Sequence, residues 1–303
     1  MGTLRVTQQV ITTRVLDSLQ QQQRDLLGLQ EQLASGQRIL TPSDDPIDAR
    51  RAINTRAAIA SNDQYLRNIS TSISFLSVTE TALMTVNENL QRARELVLQG
   101  ASGTYAQDQL DSLAEEINEV LESLLDTGNQ QFAGRYVFSG TRTETIPFQA
   151  TRGADGEVTA VTYAGNSGEI ELATGRGSVI AINEPGDQAF QDSQDIFQLL
   201  IDIRDHLRAG DQTSLGDADL LGLDDGVQQT NQAIARVGAT QNRVSRSEFS
   251  LEDFGIALDE QLSDSIDADF AEIIVSLNAQ SNAYQAALDA ASRVITPSLL
   301  DFI

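Results

Sequence analysis

The chain has 303 residues, with one histidine, no tryptophan and no cysteine. Its 44 acidic residues outnumber 20 basic ones, all arginine, and the formal net charge is −24. This balance argues against nucleic-acid binding through a basic surface, and the lack of cysteine excludes disulfides and thiolate ligands. No apolar run approaches the ~20 residues that span a bilayer. We therefore expect neither nucleic acid nor membrane as a partner.

The first segment, residues 5–36, has the apolar spacing of a coiled-coil helix. Its apolar residues alternate in steps of four and three, which lets one helix wrap around another. The seam is interrupted at Gln22 and consists of Val15, Leu19, Leu26, Leu29 and Leu33. Between Pro42 and Pro46, Asp44 and Asp45 fit the role of helix caps better than that of paired catalytic carboxylates.

A long second helix and a third helix follow, and then the residue pattern changes from helical to alternating. The second helix is predicted by a heptad repeat from Ile69 to Val97, and the third ends near Gly128. Nine of the 21 glycines lie between Gly134 and Gly186, where alternating patterns replace helical ones. We expect three short strands there, at Val158–Tyr163, Glu169–Ala173 and Ser178–Ile182.

Helical periodicity returns after Pro185. It predicts a short helix that ends at Gly210, an acidic, glycine-rich connector up to Gly226, and a long helix beyond it. A last helix is predicted over Phe270–Ile295, before Pro297. Its apolar seam is predicted to consist of Phe270, Ile274, Leu277, Tyr284, Leu288 and Ile295.

The two ends of the chain are expected to pair. Residues 1–56 carry seven arginines against six acids, whereas residues 251–303 carry one arginine against ten acids. A single interrupted apolar stripe leaves each end marginal as an isolated helix, so we expect partners to order both. The fold class is therefore mainly α: an elongated multi-helix rod with coiled-coil-like paired terminal helices and a small inserted β domain.

The expected division of the chain has three parts. Residues 1–50 and 262–303 form the paired terminal helices, residues 51–140 and 191–261 the helical rod domain, and residues 141–190 the inserted β domain.

Nothing in the sequence has the pattern of a catalytic, metal or cofactor site. His206 has no second histidine to join it and is interpreted as a surface residue. The segment Asp217–Gly222 begins like a calcium loop but has leucine at the fifth position and Gln228 at the twelfth, so two ligands are missing. Gly175–Gly177 lacks the third glycine and the following helix of a nucleotide-binding loop. We expect no catalytic activity.

Several motifs resemble those of the flagellin superfamily and, within it, the hook-associated proteins of the hook–filament junction (FlgL-type). The prolines on both sides of Ser43-Asp44-Asp45 favour the junction group. The motifs that carry the resemblance are Leu33–Leu40 with Pro42–Pro46, Gly134–Gly140, Arg236–Ala239, Asp267–Glu272, Tyr284–Leu288 and Ser298–Ile303.

The resemblance implies a structural subunit of the bacterial flagellum, exported without a cleaved signal peptide through the flagellar type III route. It implies self-association in a short helical layer, contact with the neighbouring hook-associated protein and with flagellin, and an export chaperone of the FlgN type. The terminal seams would form the assembly interface.

Two alternatives remain open: a filament flagellin, or a secreted helical binding module with the β block as its head.

Overall fold

A computed structural model describes the backbone of residues 2–295 and the side chains of residues 10–292. The predicted class, mainly α with a small β region, is confirmed. The helices are α1 (Gly2–Ser35), α2 (Pro46–Gly100), α3 (Gln107–Gly128), α4 (Gly186–Phe190), α5 (Ile196–Ala209), α6 (Gln212–Ser214), α7 (Leu220–Ile266) and α8 (Phe270–Ile295). The strands are β1 (Gln131–Phe132), β2 (Arg135–Tyr136), β3 (Phe148–Arg152), β4 (Val158–Tyr163), β5 (Glu171–Gly175) and β6 (Ser178–Ala181).

The chain divides into two compact units, a terminal unit and a central unit. The terminal unit comprises Met1–Ser61 and Phe254–Ile303, and the central unit comprises Asn62–Asp253. The sequence-based boundaries at 50 and 262 remain a prediction. Helices α2 and α7 run through the structural boundaries without a break, so no turn residue marks these positions in the sequence.

The central unit has one apolar core shared by helices and strands. Leu83 and Leu90 of α2 are fully buried together with Leu121 of α3 and Leu200 of α5. Phe148 of β3 belongs to the same core. The buried side chains of residues 141–190 therefore pack into the same core as the helices, and the inserted β domain stays a prediction.

Within residues 2–295, the strands form three antiparallel hairpins. Strand β4 has the predicted bounds, and β5 and β6 lie within two residues of theirs. Two elements were missed: β3, and the small β1–β2 hairpin, which precedes residue 141. Both central residues of the β1–β2 turn, Ala133 and Gly134, have positive φ, at 49° and 78°, as in a type I′ turn.

The connector expected up to Gly226 is helical, and this prediction was wrong. Asp211 caps α6 by accepting from the backbone N–H groups of Thr213 and Ser214. A π-helical turn, Leu215–Asp219, then leads directly into α7. Leu215 is fully buried, and this burial outweighs the helix-breaking tendency of the glycines. His206, predicted to lie on the surface, is one-third exposed and pairs through Nδ1 with Oδ2 of Asp219, at 2.8 Å.

Helix α2 contains an 18-residue window with a mean hydropathy of 1.2, and 44% of that window is buried inside the protein. Length and composition would let such a helix cross a membrane, but a buried core helix has the same properties. Leu83, Val86 and Leu90 of this helix lie in the core of the central unit.

Candidate assembly site

Helices α1 and α8 pack against each other in the terminal unit. The five apolar residues of the predicted α1 seam are each partly covered in the structure, and they are Val15, Leu19, Leu26, Leu29 and Leu33. They are the covered side of an otherwise largely exposed helix. Their role in assembly remains a prediction, because the pairing within one chain already accounts for their position.

The face of α8 that is covered differs from the predicted seam. Most of the covered residues are spaced by alternating steps of four and three, and these are Ile273, Leu277, Gln280, Tyr284, Ala287 and Ala291; Ser276 and Ser281 beside them are also partly covered. Leu277 and Tyr284 thus belong to both the predicted seam and the covered face. The side chain of Ile295 lies outside the described residues.

Three residues of the predicted α8 seam lie on an exposed face. Phe270, Ile274 and Leu288 retain 51%, 47% and 43% of their accessible surface. Helix α8 therefore carries two apolar faces, and the sequence interpretation merged them into one stripe. The merging arose because residues that are seven apart drift by ~20° around an α-helix, so neighbouring stripes are hard to separate by spacing.

A second set of exposed apolar side chains lies in the terminal unit and was missed by the sequence reasoning. They lie off the heptad seam of α1, in the turn after it, in α8 and in the parts of α2 and α7 that belong to this unit, and they are Val10, Ile11, Leu16, Leu27, Leu40, Ile47, Ile53, Phe254, Ile256 and Val275. An isolated soluble chain usually hides large apolar patches. The signal available in the sequence was that these apolar residues lie outside the predicted seams.

The connection between α1 and α2 meets the connection between α7 and α8. Gln37 and Asp267 form an isolated antiparallel bridge. The N–H of Ala268 donates to the carbonyl oxygen of Gly36, at 3.0 Å. Gly36 has a φ of 71°, a left-handed conformation that glycine adopts without strain at the end of a helix. We call this meeting point the clasp, residues 36–38 and 266–268.

Asp44 and Asp45 stabilise the turn that begins α2. Asp45 Oδ1 accepts from the backbone N–H groups of Ile47 and Asp48, at 3.0 and 3.1 Å, the geometry of a helix N-cap. Asp44 accepts from the N–H groups of Leu40 and Thr41. The hydrogen bonds with Thr41 lower the pKa of Asp44, and the bond from Asp48 lowers that of Asp45. The helix-cap interpretation is confirmed for Asp45 and was wrong for Asp44, whose carboxylate holds the turn at Leu40 and Thr41 before the helix.

Arg38 connects the clasp with the first turn of α2. Its Nη2 donates to Asp48 Oδ2, at 2.8 Å, and to the carbonyl oxygen of Ser265, at 3.0 Å. Its Nη1 lies 3.7 Å from Asp45 Oδ2. Arg38 also receives a bond at its own carbonyl oxygen, from Gln32 Nε2 at 3.0 Å. One side chain therefore contacts both the start of α2 and the end of α7.

In the central unit, the motif Gly134–Gly140 forms the root of the β hairpins. Phe138 in this motif is fully buried and packs edge-to-face against Phe190, with ring centroids 5.1 Å apart. Phe148 contacts Phe190 and Phe197, with centroids 4.9 and 4.7 Å away. This aromatic cluster accounts for Phe138 of the motif.

The two glycines of that motif have different surroundings. Both have positive φ, 78° at Gly134 and 65° at Gly140. A Cβ on Gly140 would lie 1.9 Å from the backbone oxygen of Asn166, whereas a Cβ on Gly134 would have no heavy atom within 4 Å. Tyr163 closes the same region by donating to the carbonyl oxygen of Phe138, at 2.9 Å, and burial raises its pKa to about 12.

Two family models match the chain, one towards each end of the sequence. Residues 6–143 match the model of the bacterial flagellin N-terminal helical region, and residues 220–303 match that of the C-terminal helical region. The chain is 29% identical over 188 residues to flagellar hook-associated protein 3 of Escherichia coli K12, an alignment that covers 62% of this chain and 57% of that protein. It is 38% identical over 151 residues to a flagellin of Salmonella muenchen, covering 48% of this chain and 30% of the flagellin.

Among solved structures, a flagellar hook-associated protein of Vibrio parahaemolyticus has a similar fold. The TM-score is 0.67 at 23% identity, and the match covers 74% of this chain and all of that one. At this identity the likeness concerns the fold. The sequence alignments reach little more than half of the length of the E. coli relative and less than a third of the flagellin.

Proposed function

Because the chain belongs to the bacterial flagellin family, we propose that it is a structural subunit joining the hook-associated end of the flagellar hook to the flagellin filament. The family membership, which covers residues 6–143 and 220–303, confirms the resemblance of the sequence motifs. The longer of the two alignments reported above is with a protein named for its association with the hook, not with a flagellin. The proposed role involves no catalysis.

The observation that carries the proposal is the uncovered apolar surface of the terminal unit. Phe270, Ile274 and Leu288 of α8 remain about half exposed although the neighbouring face of the same helix is covered. Fully burying such a side chain contributes about 1.5–3 kcal/mol, so the exposed face favours contact with neighbouring subunits. We propose that this face and the α1–α8 pair lie in the core of the helical layer.

The proposed partners are further copies of this chain within the layer, a hook-associated protein on one side and flagellin on the other. Residues 141–190 are proposed to lie on the outer side of the layer. A chain that contains no cysteine forms no disulfide before export. This property suits the proposed export of the unfolded chain through the type III route, with a FlgN-type chaperone acting on the C-terminal region.

A filament flagellin is the second candidate. It is favoured by the 38% identity to the Salmonella flagellin, which exceeds the identity to the hook-associated protein. That alignment is shorter, however, and covers 30% of the flagellin. The alignment with the hook-associated protein covers a larger share of this chain and a larger share of the relative.

Deletion of the gene separates the two candidates. Loss of a junction subunit leaves hooks on the cell and sheds unpolymerised flagellin into the medium, because the filament has nothing to grow on. Loss of a sole flagellin leaves no flagellin to detect in any fraction. Bare hooks together with soluble flagellin support the junction role, and normal filaments on the deletion strain contradict it.

A further inference from the structure

The structure indicates how the terminal helices are held at a defined position. Arg38 is the side chain that reaches from the clasp to both α2 and α7, through Asp48 and the Ser265 carbonyl oxygen. We infer that Arg38 is the positioning residue of the terminal pair: its contacts, more than the apolar seam, determine that α1 and α8 lie together. This inference rests on the proposed function for its consequence in assembly.

The seam between α1 and α8 is weak along its length. Gln22 lies on the seam, and its Oε1 is buried without a hydrogen-bond partner among the described residues. An unsatisfied buried acceptor costs about 1–3 kcal/mol. Gly28, in the middle of α1, has no heavy atom within 4 Å of where a Cβ would be, and glycine inside a helix costs about 1 kcal/mol relative to alanine.

Packing next to the clasp is also incomplete. A pocket of about 160 Å³ opens between α1 and α8, with Leu29 and Ile273 among the residues that line it. At the far end of the pair, the covered side chains of α8 are Ala287 and Ala291, which bury little apolar area. The seam therefore supplies a modest attraction, and a fixed connection at one end has a large influence on whether the helices stay paired.

The clasp provides that fixed connection. The N–H of Arg38 donates to the carbonyl oxygen of Ile266 at 2.7 Å, and the guanidinium of the same residue bonds to the preceding carbonyl, of Ser265. The backbone and side chain of one residue thus hold two successive residues at the end of α7. A lysine could not reproduce this arrangement, because its ammonium lacks the planar fork of donors.

Hydrogen exchange in the isolated full-length chain tests the inference without any flagellar partner. We expect Arg38→Ala to speed amide exchange in α1 and α8 by about threefold, because the guanidinium is 46% exposed and water screens part of the lost hydrogen bonds, and to leave residues 62–253 unchanged. Arg38→Lys is expected to behave like Arg38→Ala. The matched control is Arg51→Ala, which removes another arginine partner of Asp48, one turn away within α2, and should leave exchange in α1 and α8 unchanged.

A disulfide across the clasp tests whether Arg38 acts by holding the two connections together. Gln37 and Asp267 are directly opposed and flanked by the clasp hydrogen bonds, a pairing with Cα atoms ~4.5 Å apart that a disulfide can bridge. In the Arg38→Ala background, Gln37→Cys with Asp267→Cys should restore slow exchange when oxidised and lose it when reduced. Unchanged exchange in Arg38→Ala, or no restoration by the disulfide, would overturn the inference.

Motility separates this inference from the proposed function. If Arg38→Ala loosens α1 and α8 in the isolated chain and the strain that carries it swims poorly, both are supported. If the helices loosen and the strain swims normally, the positioning role stands and the terminal pair has no role in assembly.

Discussion

The backbone N–H of Arg38 donates to the carbonyl oxygen of Ile266 at 2.7 Å, joining two residues that are separated by most of the chain. This bond brings the end of the N-terminal helix to the start of the C-terminal helix. Arg38 lies in the matched N-terminal region and Ile266 in the matched C-terminal region. The two connections therefore meet at a short backbone contact, and the long helices α1 and α8 extend from it.

Leu288→Asp should block incorporation into flagella without disturbing the isolated chain. Leu288 lies on the exposed face of α8, so a charge there remains solvated in the monomer and becomes costly only in an apolar interface. Hydrogen exchange of the purified variant should equal that of the unmodified chain, while motility is lost. Asn282→Asp, an exposed change on α8 about 120° around the helix from Leu288, is the control and should remain motile.

Leu277→Asp should already destabilise the isolated chain, before any assembly. Leu277 is half-buried against α1, so the charge should destabilise the α1–α8 pair by about 2 kcal/mol as well as blocking incorporation. Amide hydrogen exchange in α1 and α8 should be faster in purified Leu277→Asp than in purified Leu288→Asp. Equal exchange in the two variants would show that the covered face of α8 has been misidentified.

Asp45→Ala should destabilise the first turn of α2, because the N-cap hydrogen bonds from the N–H groups of Ile47 and Asp48 are lost. Because the pKa of Asp45 is lowered in the fold, its carboxylate contributes stability above its ordinary value of 3.8, and this contribution is lost as the pH falls below that value. Asp45→Asn keeps an acceptor and should lose part of this acid sensitivity. Urea unfolding at about pH 6 and about pH 3 measures both effects, and an identical pH dependence in all three chains would contradict the assignment.

The two glycines of the Gly134–Gly140 motif should respond differently to alanine. Gly134→Ala introduces only the strain of a positive φ, about 1–2 kcal/mol. Gly140→Ala adds a collision with the Asn166 backbone oxygen and should cost about 3 kcal/mol or more. Thermal unfolding of the two variants gives the comparison. Equal losses would mean that the backbone at residue 140 relaxes freely.

Phe148→Ala should destabilise the central unit by about 3–5 kcal/mol, because its ring contacts Phe190, Phe197 and Tyr163 in the core. Ile146→Ala, two residues earlier and half exposed, is the matched control and should cost much less. Guanidinium unfolding measures both changes. Similar midpoints for the two variants would place the aromatic cluster outside the stabilising core.

Most of the helical architecture could be predicted from the sequence because strong local signals mark the ends of its elements. The bounds of α8 and β4, and the end of α5 at Gly210, agree with the predictions, and Asp45 caps the helix that its position before Pro46 indicates. These features depend on residues close in sequence, where glycine, proline and capping acids act directly on the backbone.

Features that depend on distant residues were not predictable in the same way. The segment before α7 was expected to be a loop because of its glycines, but Leu215 finds a buried site that only tertiary packing provides. The division of α8 into a covered and an exposed face depends on where α1 lies. The contacts of Arg38 with Ser265 and Ile266 join segments more than 200 residues apart, and no local pattern predicts them.

The most direct test of the junction role is the position of the chain on intact flagella. A short peptide tag inserted at the exposed β3–β4 turn, between Asp155 and Gly156, can be labelled with gold particles and observed by electron microscopy. The account predicts label confined to a single narrow band where the hook meets the filament. Label distributed along the whole filament, or absent from the flagellum, would contradict it.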